Sequence, residues 1–367
     1  MFFRTGILAA LAYGLSGCAA PNCGGCGSAE LHLNDIVTVG THNSYKQAID
    51  PKIFALLMSK VPDIASALDY SHPSLTDQLN DGARAIEIDV AYDPNGGLFA
   101  HPRGPELAGL TLPDGYSDYM SKPGFKVLHV QDFDFRSSCV TLKDCLAILK
   151  RWSRAHPYHV PILLTFNAKD DSLPQQTQAL KFDAGAFDAL DAEIRSVLDP
   201  NDIITPDDVQ GSYPTLRAAV FERGWPTLSQ SRGKFILALD EEGSKIALYR
   251  GNRKSLEGRV MFVNAPEDSP AAAYLTLNEA LTDTSRITRD VKLGFLVRTR
   301  ADADTVEARS NDIRRRDLAL ASGAQYVSTD YMQPDMRFSA YTARMRKGEI
   351  AACNPVRAAG KCSQPLE

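Results

Sequence analysis

The chain has no surplus of positive charge, no glycine-rich nucleotide fingerprint and, beyond its first twenty residues, no apolar run long enough to span a membrane. Its 40 Lys and Arg stand against 45 Asp and Glu, so no bulk positive field would gather nucleic acid. No G-x-G-x-x-G follows the first strand-like run, which argues against a dinucleotide-binding open sheet. Seven cysteines in 367 residues are too few for a disulfide-dense miniprotein. The 44% of hydrophobic and 23% of charged residues suit a folded chain and exclude a wholly disordered one.

The first segment reads as an address. Arg4 precedes an apolar run from Ile7 to Leu15, too short for a spanning helix and of the right length for a signal-peptide core. Leu15-Ser16-Gly17-Cys18 resembles a bacterial lipobox, in which Cys18 is lipidated and becomes the mature N-terminus. The expected product is an exported, membrane-anchored lipoprotein, periplasmic or at the cell surface; plain secretion is the alternative. The expected boundaries are a signal at 1–17, a Gly-rich tether at 18–34, one barrel at 35–335 and a tail at 336–367. The oligomeric state is not legible. Without Cys18 six cysteines remain as three near-neighbour pairs, Cys23/Cys26, Cys139/Cys145 and Cys353/Cys362, as local disulfides in an oxidising compartment would leave them. Zinc at Cys23 and Cys26 is the weaker reading, since no second pair lies nearby.

Short β-branched runs alternate with helical patterns. Strands are expected at Ile36–Gly40, Arg84–Val90, Lys126–Val130, Ile162–Phe166, Lys234–Leu239, Arg259–Val263, Leu293–Val297 and Tyr326–Ser328. Several are apolar throughout, as parallel strands covered on both faces are. Helices are expected at Pro73–Asp81, Leu142–His156, Ala184–Leu198 and Asp302–Gly323. Eight strands with helices between them predict a (β/α)₈ barrel, with a doubly wound sheet as runner-up. The Gly- and Pro-rich stretch 91–125 predicts a long functional loop or lid.

In such a barrel chemistry belongs at the C-terminal strand ends. These carry Thr41-His42-Asn43-Ser44-Tyr45, Glu87-Ile88-Asp89, Leu128-His129-Val130-Gln131-Asp132, Asn167-Ala168-Lys169, Asp240-Glu241, Arg298-Thr299-Arg300 and Thr329-Asp330-Tyr331. Singly, each has a bland reading as a cap or a solvated side chain. Together they are worth more. Glu87 and Asp89 share one face of a strand, and burying both is costly without a cation. Oxygen ligands from Asp, Glu and Asn suit Ca²⁺ or Mg²⁺ rather than zinc. Two histidines beside such an ion suit general acid–base work on a phosphodiester.

The runs Thr41–Tyr45 and Gln78–Asp89 resemble the first half of the phosphoinositide phospholipase C barrel. The fuller pattern adds His129-Val130-Gln131-Asp132-Phe133-Asp134, Ser138-Cys139 and Arg298-Thr299-Arg300-Ala301-Asp302. It is similar to bacterial Ca²⁺-dependent phosphatidylinositol phospholipase C-like proteins, of the PLC-like phosphodiesterase superfamily. The resemblance implies a phosphoric diester hydrolase that cleaves a phospholipid headgroup. His42 would lie beside the phosphate and serve in stabilisation or as base. Asn43, Glu87 and Asp89 would hold calcium, with Asn167 at a fourth ligand position where eukaryotic relatives carry Glu. The second histidine is His101 or His129; the bacterial context favours His129, as general acid facing His42 across the mouth. Lys169 and Arg298 are expected at the phosphate or substrate. The rival functions are a glycerophosphodiester or sphingolipid phosphodiesterase on the same barrel, and a ligand-binding surface lipoprotein without catalysis.

Overall fold

The computed structural model describes Met1 and residues 30–172, 176–362 and 364–367. Cys18, Cys23 and Cys26 lie outside the described residues, with the signal after Met1 and the tether up to residue 29. Among the described residues eleven strands run in chain order: β1 Ile36–Thr41, β2 Ala85–Ala91, β3 Lys126–Val127, β4 Ile162–Ala168, β5 Ile203–Ile204, β6 Phe235–Leu239, β7 Phe262–Val263, β8 Tyr274–Thr276, β9 Leu296–Arg300, β10 Tyr326–Thr329 and β11 Ala351–Cys353. Eight of them form a parallel ring in the order β1-β2-β4-β6-β7-β8-β9-β10, with β10 returning to β1. One parallel bridge, Asn264 to Tyr274, joins β7 to β8. The result is the α/β barrel the sequence predicts. β1, β2 and β6 are buried along their whole length, because side chains fill the inside and helices cover the outside.

The helix Leu142–Ala155 shows how the sequence specifies this cover. Thr141 caps it by accepting from Asp144 N. Leu142, Cys145, Leu146, Leu149 and Trp152 form its buried face, at the three- and four-residue spacing of one helical side. A disulfide from Cys145 to Cys139 ties its first turn to the preceding loop, and a second joins Cys353 to Cys362. Both fit an exported protein. No helix among the described residues is long and apolar enough to cross a membrane.

Some expectations are corrected. The third expected strand, Lys126–Val130, is reduced to β3, which pairs antiparallel with the end of β2 and is not a barrel strand. His129 therefore stands on a loop: Val130 N and His129 N both donate to Asp134 O, folding the segment back on itself. The missing barrel strand is β8, three residues long. It follows Ala271-Ala272-Ala273, whose low strand propensity hid it. β9 begins only at Leu296, because the helix Ala280–Leu293 ends on left-handed Gly294. The expected helix Asp302–Gly323 is broken into Val306–Ser310 and Arg314–Ala321, with Asn311 in the left-handed region between them. The stretch 91–125 carries two short helices, Arg103–Leu107 and Tyr116–Met120. Phe99, Tyr116 and Met120 join Ile53 and Phe135 in a small apolar cluster of their own.

The tail returns to the barrel. β11 pairs antiparallel with the first half of β1, so β1 meets β2 only at Thr41 and Ile86. The strands come close at Gly40, where an added Cβ would lie 2.1 Å from Ala85 O and 2.5 Å from Ala85 Cα. Backbone on both sides cannot yield as a side chain can. Gly40→Ala should cost more than about 3 kcal/mol of stability. Urea denaturation checks this, and an unchanged midpoint would contradict it.

Candidate active site

The turn after β1 builds the first wall. Asn43 takes a left-handed backbone, φ 47°, which Asn tolerates and which swings the chain across the barrel mouth. Ser44 then fastens that turn to β2: its N–H donates to Glu87 O at 3.0 Å, and its Oγ accepts from Glu87 N at 2.9 Å. Gln78 holds Ser44 from below, donating to its carbonyl at 2.6 Å. Tyr45 donates through its hydroxyl to Asn43 Oδ1 at 3.5 Å. The Thr41–Tyr45 run thus fixes the strand that carries both acids.

His42 lies with Nδ1 2.8 Å from Asp330 Oδ1. A carboxylate only accepts, so Nδ1 carries the proton and Nε2 the lone pair. Nε2 is 3.4 Å from Arg300 Nη1 and 3.4 Å from Glu87 Oε1. Burial pushes the His42 pKa down to about 3; Arg300 adds to this and Asp330 opposes it. The ring is neutral at pH 7, with Nε2 unprotonated and facing Arg300. Burial would raise Asp330, yet His42 and Arg300 hold it at about 2. Arg300 Nη2 donates to Asp330 Oδ2 at 3.1 Å.

Glu87 accepts from Asn167 Nδ2 at 2.9 Å and from Arg298 Nη2. Burial pushes its pKa up to about 7 in spite of Arg298. Arg298 also donates to Asn278 Oδ1 at 2.6 Å and Asp240 Oδ2 at 3.3 Å. Asp89 is buried, which would raise it, but Lys169, His129 and the Tyr45 hydroxyl outweigh burial and hold it below its ordinary value. Lys169 Nζ stands 3.3 Å from Asp89 Oδ2. His129 bonds Asp134 Oδ2 through Nδ1 at 2.8 Å. Side chains of His42 and His129 keep 18% and 17% of their surface exposed, so a substrate can reach both.

The expected residues are brought to one end of the barrel on two ledges. His42, Glu87, Asn167 and Arg298 line a cavity of about 570 Å³, with Asp240 and Arg300. Asp89 and Lys169, paired at 3.3 Å, form the second ledge, and His129 stands on the loop after β3. Asn43 is buried and donates to Tyr70 Oη at 2.7 Å. His101 is exposed in a turn. Sequence reading gave no role to Asp330, Arg300, Asp134 or Tyr70. The signal for Arg300 was its i, i+2 spacing from Arg298 on one strand face. Asp330 ends β10, which closure of the ring sets beside β1.

Among the described residues no group of three or more His, Cys, Asp or Glu side chains forms a ready-made cation site. The acids here number two, and the other donors are amides. Asp89 Oδ1 is nevertheless buried without a hydrogen-bond partner, which is costly unless something positive meets it. Asn43, Glu87 and Asn167 add hard oxygen donors of the kind calcium takes. The set fits such an ion if Lys169 and Arg298 share the carboxylates with it.

Residues 31–355 match the family described as phosphoinositide phospholipase C, Ca²⁺-dependent. The chain belongs to that family. It is a phosphoric diester hydrolase of the phospholipase C kind, and the family is calcium-dependent. Its fold is similar to that of a calcium-dependent phosphoinositol-specific phospholipase C from a Pseudomonas species, at TM-score 0.54 and 17% identity over 88% of this chain and 95% of that one. It is also similar to a Ca²⁺-dependent phosphatidylinositol-specific phospholipase C from Streptomyces antibioticus, at TM-score 0.51 and 19% identity over 82% and 95%. No curated protein matches the chain.

Within this phospholipase C-like site the His42–Asp330 contact is open to direct test. Asp330→Asn keeps the shape but removes the charge that fixes the ring tautomer. Its kcat should fall about 10²- to 10⁴-fold with little change in KM. A KM effect alone would contradict the assignment.

Proposed function

We propose that the protein cleaves the phosphodiester of inositol phospholipids on the glycerol side, with His42 as base and His129 as acid. The observation that carries this is the pairing of each imidazole Nδ1 with its own buried carboxylate, His42 with Asp330 and His129 with Asp134. His42 Nε2 takes the proton from the ring hydroxyl adjacent to the phosphate. That oxygen bonds to phosphorus as the bond to the glycerol oxygen breaks. His129, which must enter this step protonated on both nitrogens, gives its Nε2 proton to the departing alcohol, leaving a cyclic phosphate and diacylglycerol. Arg300, beside His42 Nε2, is placed to stabilise charge on the non-bridging oxygens. Lys169, paired with Asp89, can serve the same oxygens from the other ledge.

Asn43, Glu87, Asp89 and Asn167 would hold Ca²⁺, which supplies electrostatic stabilisation of the phosphoryl oxygens when bound. Binding should raise the melting temperature of the wild type by several degrees and leave Asp89→Asn nearly unmoved. Equal shifts in both would remove Asp89 from the ligand set. The Leu15–Cys18 run supports a lipid on Cys18 that keeps the barrel at a membrane; a Cys18→Ser chain that stays in the membrane fraction would rule this out.

Vesicles of phosphatidylinositol or phosphatidylcholine, incubated with the full protein, test the substrate. Soluble inositol phosphate from the first and no phosphocholine from the second is expected; the reverse would point to a different phosphodiesterase. His129→Ala should lose about 10²- to 10⁴-fold on the lipid and far less on an ester of p-nitrophenol, whose leaving group needs no proton. His101→Ala should be mild on both. A leaving-group-dependent collapse in His101→Ala instead would transfer the acid role to His101.

A further inference from the structure

Lys46 follows directly on the Thr41–Tyr45 run and is fully buried. A buried ammonium is costly unless its three N–H groups are met. Three oxygens meet them: Leu68 O at 2.9 Å, Tyr70 O at 2.7 Å and Asp134 Oδ2 at 3.3 Å. That last oxygen also receives His129 Nδ1–H. Asp134 is itself buried, and its Oδ1 has no hydrogen-bond partner. One carboxylate oxygen therefore joins a fixed cation to the imidazole that faces substrate.

The backbone reinforces the link. Lys46 bridges antiparallel to Ser137, and Gln47 N donates to Arg136 O at 3.2 Å. Lys46 Nζ also lies 4.6 Å from the centre of the Tyr70 ring. That ring stacks on His42 at 6.0 Å, and its hydroxyl accepts from Asn43. A single ammonium thus touches the supports of both catalytic histidines without reaching the cavity.

We propose that Lys46 is a positioning residue for the proton donor: it pins Asp134, and through Asp134 the aim of the His129 ring. The proposal rests on the reading of His129 as the acid. Without the ammonium, Asp134 loses its fixed cation, and the ring loses an acceptor fixed in place. Lys46 touches no reacting atom. Its loss should be felt where His129 must deliver a proton and nowhere else.

The test uses full-length Lys46→Met and Asp134→Asn, alone and combined with His129→Ala, on phosphatidylinositol vesicles and on the p-nitrophenyl ester of inositol phosphate. The expected result for each single variant is a fall of about 10²-fold in kcat on the lipid, against a few-fold on the nitrophenyl ester. Added to His129→Ala, either change should cost little more on the lipid. A loss equal on both substrates, as a general loosening would give, overturns the proposal. So does a Lys46→Met protein with wild-type rates on both. Should Lys46→Met fail to fold, Asp134→Asn decides by the same comparison. If His129→Ala shows no leaving-group dependence, the reading of His129 and the role of Lys46 fall together; a uniform loss in Lys46→Met beside a selective one in His129→Ala removes only the latter.

Discussion

Glu87, Asp89, Asp134 and Asp330 are buried at the mouth of this barrel, and each meets a cation. Glu87 meets Arg298, Asp89 meets Lys169, Asp134 meets Lys46 and Asp330 meets Arg300. Acids this buried could not stay ionised alone. Removing one partner from such a pair costs about 3–5 kcal/mol, because the other charge is left stranded. The pairs come from different elements: β2 with β9, β2 with the end of β4, the post-β3 loop with the post-β1 turn, and the end of β10 with β9. Closing the barrel is what brings them together, so the charge pattern and the fold depend on each other.

That arrangement divides the labour between the histidines. His42 is neutral because burial and Arg300 disfavour its charged form, while Asp330 fixes which nitrogen carries the proton. His129 is held by the same kind of contact to Asp134. On the proposed reading the two imidazoles serve opposite roles, each held at Nδ1 by its own carboxylate.

Much of the fold was legible because its strands are apolar, short and evenly interrupted. β8 escaped because three residues behind a run of alanines carry little strand signal, and β3 misled because Lys126–Val130 looks like the strands around it. The site was legible where a motif carried it: Thr41–Tyr45, Glu87 and Asp89 are contiguous or two apart. Asp330, Arg300, Asp134 and Lys46 become partners through long-range or loop contacts that periodicity does not encode. Lys46 sits one residue past the motif, where a lysine reads as a solvated surface charge until burial shows otherwise.

The central claim is that a hydroxyl of the headgroup itself attacks phosphorus between the two histidines. Phosphorus NMR of the wild-type protein acting on phosphatidylinositol vesicles reports this directly. A cyclic inositol phosphate signal that precedes any acyclic monophosphate is the predicted course. Acyclic monophosphate from the outset, with no cyclic species at any time, would mean that water is the nucleophile and would contradict the account.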